Sequence, residues 1–295
     1  MVLKSKSDYY EKKTSRKGGN MTQTAILNKV KCKFCGKELE QKGMSFQLED
    51  KQFSINGQTE RCDCEASKKY WKQVEEEKKQ EQIKAEIQRK NDVISKLYAN
   101  SKMNIRLKTY SFDNYKITSD NKKALNKTKE YTDNYIKNIE KGSLFITGGV
   151  GTGKTHLAAS IANELIKNEI PVVFGTLINL LNDIKDSYSS DGEKEGYIIE
   201  RYSKVNMLII DDLGKERPSE WTLEKLFTII NNRYENNLPV IITTNYNRDK
   251  LRERLANNKN YEIADSIISR LYEMCKGIAI YGNDKRKELV QSPQN

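Results

Sequence analysis

Gly148-Gly149-Val150-Gly151-Thr152-Gly153-Lys154-Thr155 satisfies G-x-x-x-x-G-K-[ST] at every fixed position. It is preceded by the apolar run Ser143–Thr147, which reads as a strand, and followed by Lys154–Asn168, which reads as an amphipathic helix. That context is what a phosphate-cradling loop requires. Glycines allow successive backbone N–H groups to turn toward one anion, and the helix N-terminus adds the positive end of its dipole. Lys154 is expected to reach the β- and γ-phosphates of a nucleotide, with the Thr155 hydroxyl on Mg²⁺. The nucleotide-contacting run then extends from Gly148 through His156. His156 is read as a surface residue with no imidazole chemistry.

Downstream, apolar runs alternate with helical patterns, the signature of an α/β fold with a parallel sheet flanked by helices. Pro171–Phe174, Met207–Asp211 and Pro239–Thr243 read as further strands, with Ser219–Glu235 and Ile263–Cys275 among the helices between and after them. Asp211-Asp212 follows four apolar residues and so stands where a buried strand reaches its C-terminal edge, the ligand-binding edge of open α/β sheets. Asp211 is assigned to Mg²⁺, and Asp212 to orienting or deprotonating the attacking water. Asn245 ends a strand expected between those of the loop and of Asp211, which brings it near the γ-phosphate. No Asn-Lys-x-Asp follows to recognise guanine, so ATP is the expected nucleotide.

The 295 residues allow a large core and a smaller module. No apolar run approaches the ~20 residues that span a bilayer, and the Lys-rich start resembles no signal peptide, so a cytoplasmic protein is expected. The net charge of +11 suits polyanionic partners, although Lys-rich composition alone names none. Residues 1–21 read as a disordered basic arm. In residues 22–65, Cys32-Lys-Phe-Cys35-Gly36 and Cys62-Asp-Cys64 flank a hairpin-like stretch containing Asn56-Gly57. Four thiolates suit tetrahedral Zn²⁺, which would supply folding energy that so small a module lacks. The fifth cysteine, Cys275, falls in an apolar helical pattern and reads as core. Residues 66–100 are dense in Lys, Glu and Gln, with a thin apolar seam through Trp71, Val74, Ile83, Ile87, Ile94 and Leu97. They read as a charged helical linker, with a short coiled coil as the competing reading. Residues 101–295 then form the catalytic domain.

The order and spacing of Leu208-Ile-Ile-Asp-Asp-Leu-Gly-Lys-Glu-Arg217, Trp221, Ile230-Asn-Asn-Arg-Tyr234 and Ile242-Thr-Thr-Asn245 resemble the DnaC, DnaI and IstB group of AAA+ proteins. The resemblance implies an AAA+ P-loop ATPase that acts as an oligomer. Ser269-Arg270-Leu271 is similar to the motif offering an arginine finger to a neighbouring subunit's ATP. Gly282-Asn-Asp-Lys-Arg286 resembles the group's second sensor. Met103-Asn-Ile-Arg106 and Thr109–Tyr115 resemble its entry segment near the adenine, with Tyr110 and Phe112 better read as core. Related proteins guide single-stranded DNA with the region matching Leu177–Asn206, where Lys185, Arg201 and Lys204 are either phosphate contacts or a solvated face. A zinc-ribbon-like module can bind nucleic acid or protein, and resemblance to the loaders implies that this one holds a hexameric, DnaB-like replicative helicase. The leading expectation is therefore an ATP-dependent helicase loader in DNA replication, and the runner-up an IstB-like regulator of transposition. A non-catalytic ATP-binding adaptor is the reading from a different class.

Overall fold

In the computed structural model, residues 23–48, 51–186 and 195–284 are described. The arm at 1–21 and Arg286 lie outside them. The chain divides into two compact units between Ile87 and Gln88.

The first unit opens with an antiparallel sheet of β1 (Gln23–Lys31), β2 (Glu38–Leu48) and β3 (Lys51–Thr59) in the order β1-β2-β3. The β1–β2 connection is a tight knuckle in which the Cys32 N–H donates to Lys37 O at 2.8 Å and the Gly36 N–H to Cys32 O at 3.0 Å. Asn56-Gly57 does not form the hairpin turn. It lies inside β3, where the register steps from Gln41↔Thr59 to Gly43↔Asn56 and the strand bulges, a disruption that a glycine tolerates.

The charged segment forms one helix, α1 (Glu65–Asn100). Side-chain pairs such as Gln73 to Glu77 and Gln88 to Asp92 recur at four-residue spacing along its surface. Ile83 and Ile87 in the seam are exposed. Ile94, Leu97 and Tyr98, near the helix end, pack on the core of the second unit.

That unit continues through α2 (Ile105–Lys108), α3 (Lys122–Ile136), β4 (Ser143–Gly148), α4 (Lys154–Lys167), β5 (Val172–Thr176) and α5 (Leu177–Asp186). It proceeds with α6 (Glu195–Lys204), β6 (Met207–Asp211), α7 (Glu220–Glu235), β7 (Val240–Thr244), α8 (Arg248–Ala256), α9 (Tyr261–Met274) and β8 (Cys275–Ile280). The sheet order is β5-β6-β7-β4-β8, every neighbouring pair parallel. Alternate residues enter two cores. Leu144, Ile146, Ile209 and Ile241 face α3 and α4, whereas Phe145, Leu208, Ile210 and Ile242 face the helices on the other side. Burial on both faces explains why these strands read as continuous apolar runs. The strand from Cys275 is a departure from expectation: Cys275 starts β8, half-buried, instead of continuing the α9 helix.

Candidate nucleotide site and cysteine centre

The glycine loop joins the C-terminal end of β4 to the first turn of α4. Gly153 has φ +102°, and a Cβ there would stand 2.8 Å from the Tyr115 ring; at Gly151, φ is +74° and a Cβ would meet the Asp284 carboxylate. Both positions need the left-handed region and space that only glycine leaves. Val150 at the loop's apex is exposed. The buried Thr152 donates its hydroxyl to Gly149 O at 3.0 Å, tightening the turn. The buried Lys154 ammonium donates to Gly148 O and Gly149 O at 2.9 and 2.7 Å, so its charge sits inside the loop.

Beneath the loop, Thr155 Oγ1 lies 3.0 Å from both carboxylate oxygens of Asp211 at the end of β6. Thr243 on the adjacent β7 donates its hydroxyl to Asp211 Oδ1 at 2.6 Å and accepts the Asp212 N–H at 2.9 Å. One fully buried hydroxyl thus aligns both aspartates. Burial pushes the Asp211 carboxyl above the usual range, opposed by the hydroxyls of Thr243 and Thr155. Asp212 adopts φ +54°, turning the chain away from the strand, and its carboxylate is 3.5 Å from Lys215 Nζ. Left-handed backbone is unusual for a side-chain-bearing residue, but aspartate is among those that tolerate it.

The entry segment wraps over the helix that follows the loop. Asn163 on α4 donates to Leu107 O and Tyr110 O at 2.9 and 2.7 Å. His156 is half-buried and held by its neighbours instead of standing free on the surface. Its ring stacks on Tyr110 at 4.2 Å, meets Tyr115 edge-on at 5.1 Å, and places Nε2 2.9 Å from both Ser111 O and Asn114 Oδ1. Because a carbonyl only accepts, Nε2 carries the proton. Tyr115 is buried, donates to Thr152 O at 3.2 Å, and has its phenol pushed up to about 12 by burial. Phe112 lies in the core and Tyr110 packs against it. Asn163 and Tyr115 were not anticipated. The available signal was His156 and Asn163 standing seven residues apart, on one face of the helix.

Asn245 follows the Thr147↔Thr244 pair, so it emerges level with the start of the glycine loop from the strand between β4 and β6. Arg270 on α9 is elsewhere. Its guanidinium donates to Asn231 Oδ1 at 2.9 Å and Ser266 O at 3.1 Å and stacks over Phe227 at 5.0 Å. These partners lie on α7 and α9, not in the loop. Arg201 and Lys204 line one cavity and Lys185 another. Lys185 lies over Trp221 at 5.2 Å, Arg201 donates to Asn100 O at 2.7 Å, and Lys204 pairs with Glu200 at 2.5 Å. Sequence reading also missed Arg233. Fully buried, it donates to Tyr202 O and Val205 O at 2.9 Å each and to Pro239 O. Burial lowers its guanidinium to about 10, still charged at neutral pH.

In the first unit, the Sγ atoms of Cys32, Cys35, Cys62 and Cys64 all lie within 4.8 Å of one another. Cys32 and Cys64 are 4.0 Å apart and Cys35 and Cys62 3.4 Å. Tetrahedral zinc–thiolate bonds of ~2.3 Å put sulfurs about 3.8 Å apart, so this cluster fits a Cys₄ metal site. The Phe34 N–H donates to Cys32 Sγ at 3.5 Å and heads the causes that lower that thiol to about 7. The knuckle favours the thiolate at Cys32, whereas the Cys62 and Cys64 thiols are shifted up.

The profile of the IstB-like ATP binding protein family matches residues 43–292. The chain belongs to that family. Among relatives, the phage-like element PBSX protein XkdC of Bacillus subtilis (strain 168) is 31% identical over 162 residues, 52% of this chain and 56% of XkdC. Replicative helicase loader DnaC of Escherichia coli (strain K12) is 30% identical over 146 residues, 49% of this chain and 59% of DnaC. Each alignment therefore spans under two thirds of the relative's length. A solved structure of DnaI matches with a TM-score of 0.52 at 25% identity, covering 63% of this chain and 95% of that one. Membership of the IstB-like family agrees with the AAA+ parallel sheet, whose C-terminal edge carries the glycine loop and the aspartate pair.

Proposed function

We propose that this IstB-like chain is an ATP-hydrolysing loader of a replicative DNA helicase, working as an oligomer on single-stranded DNA in the cytoplasm. The observation that carries the ATPase reading is the contact of Thr155, Asp211 and Thr243 beneath the glycine loop, with Asp212 oriented by the same threonine. The backbone N–H groups from Gly149 to Thr155 and the start of α4 hold the phosphates, and Lys154 bridges toward the β- and γ-phosphoryl oxygens. A hydroxyl and a carboxylate in contact form a hard-oxygen donor set that fits Mg²⁺, held by Thr155 and Asp211. When bound, the ion supplies positive charge against those phosphate oxygens. Asp212 orients the attacking water or takes its proton. Asn245 meets the γ-phosphate, Arg270 serves a neighbouring subunit's ATP, and Arg286 acts as a second sensor.

Zn²⁺ is the metal proposed for Cys32, Cys35, Cys62 and Cys64, and the module that it folds holds the helicase. Likeness to DnaC and the presence of this module support the loader over a regulator of transposition, a reading that the IstB-like family keeps in view. The test is affinity capture of a DnaB-type hexamer by the purified chain, with bound zinc quantified and single-turnover ATP hydrolysis followed on single-stranded DNA. Co-purification, near-stoichiometric zinc and hydrolysis are expected. Capture of a transposase instead of the helicase would transfer the protein to the second reading.

A further inference from the structure

Beside the cysteine cluster, the first unit contains a cavity of about 410 Å³ whose wall includes Cys32, Phe34, Arg61, Tyr70 and Trp71. Its aromatic residues are not core. Phe34, at the tip of the knuckle, and Tyr70, on the first turns of α1, are 46% and 47% exposed. The rings form a continuous series, Phe34 to Tyr70 at 5.4 Å and Tyr70 to Trp71 at 5.4 Å, with interplanar angles of 50° and 73°. Arg61 lies over the Trp71 ring at 4.7 Å. Exposed Lys31, Lys33 and Lys78 also line the cavity. Its acidic lining residue, Glu60, is engaged by Lys42 at 2.6 Å, and Arg61 is engaged by Glu75. The surplus charge around the rings is therefore positive.

We propose that this groove binds a short stretch of single-stranded nucleic acid, with bases stacked on Phe34 and Tyr70 and backbone phosphates on Lys31, Lys33 and Lys78. Solvent-facing rings bounded by cations match what a single strand presents, since every base has a stacking face and every link a phosphate. The rings and cations come from two separate pieces of chain, the knuckle and the start of α1, which the four cysteines bring together. An acidic peptide is the alternative occupant. It is less well suited because ring faces set at 50° and 73° make steps for flat groups, not an enclosed slot for an aliphatic anchor. The groove lies in the cysteine unit and is distinct from any DNA contact made by the ATPase sheet. It leaves the rest of the module's surface to a protein partner.

The test uses the full chain without nucleotide and an oligothymidylate carrying 5-iodouracil, photocrosslinked and mapped by peptide mass spectrometry. Crosslinks at Phe34, Tyr70 or Trp71 are expected. A Phe34→Leu, Tyr70→Leu double variant should lose them and weaken binding about tenfold or more. Bound zinc in that variant reports whether the module is still folded. A Lys31→Gln, Lys33→Gln variant should flatten the dependence of log affinity on log salt by about one to two. Crosslinks confined to residues beyond 100 would overturn the proposal, as would zinc-loaded variants that bind with unchanged affinity and salt slope. It would also be overturned if the ring variant kept its DNA affinity and lost only helicase capture, which would assign the groove to a peptide.

Discussion

Thr243 shows how far one side chain can order this site. Its hydroxyl accepts the Asp212 N–H and donates to Asp211, so the strand beside the acidic pair fixes the Asp211 carboxylate and the Asp212 backbone. Asp211 carries a cost in that position, because desolvation raises its carboxyl above the ordinary value and the charged form is held against that preference. A carboxyl whose pKa rises on folding lowers stability as pH climbs from its unfolded to its folded value, and the full cost is present above the folded value. Asp211→Asn should therefore raise Tm by a few °C in magnesium-free buffer while reducing ATP hydrolysis about 10²-fold or more. Calorimetry and a phosphate-release assay check this. A lower Tm with undiminished turnover would show that the residue serves the fold and not the reaction. Asp211 and Asp212 were legible in the sequence because four apolar residues announce a buried strand and two carboxylates mark its end. Thr243 was not, because its role depends on a neighbouring strand that the linear pattern does not specify.

At the scale of elements, the end of α6, the start of β6 and the turn after α7 converge on Arg233, whose carbonyl partners are Tyr202, Val205 and Pro239. No helix-period pattern announces such a residue, since an arginine on a helix ordinarily faces water. Arg233→Leu would leave these carbonyls without their donor in a dry interior, and unpaired buried groups cost about 1–3 kcal/mol each. Equilibrium denaturation should show a loss of about 3 kcal/mol or more; a loss under about 1 kcal/mol would mean that the carbonyls find other donors. The central strands were recovered within about two residues because they are buried on both faces. Strand β8 was missed for the opposite reason. Only Ile278 and Ile280 of its six residues are buried, and it lies at the sheet's edge.

For the whole molecule, the two compact units imply two separable stabilities. Chelation of the cysteine-bound metal should melt the first unit's signal and release its zinc while adenine-nucleotide affinity is unchanged. Titrations of the full chain with and without chelator measure both; nucleotide affinity that collapses with zinc loss would make the units energetically one. Arg270, held against α7 by Asn231 and Phe227, belongs to the assembly if it serves another subunit's ATP. Arg270→Ala should lose ATP turnover by about 10³-fold with ATP affinity retained, and mixing it with Lys154→Ala subunits should restore activity. Failure of mixed subunits to recover would remove the action in trans. The sequence by itself determined the loop, the acidic pair, the cysteine quartet and the parallel α/β class, because each is carried by local spacing or by periodicity. Only the tertiary structure decided that His156 and Asn163 clamp the entry segment, that Thr243 aligns both aspartates, and that Lys185 stands apart from Arg201 and Lys204. Those relations join residues far apart in the chain, and packing alone determines which of them meet.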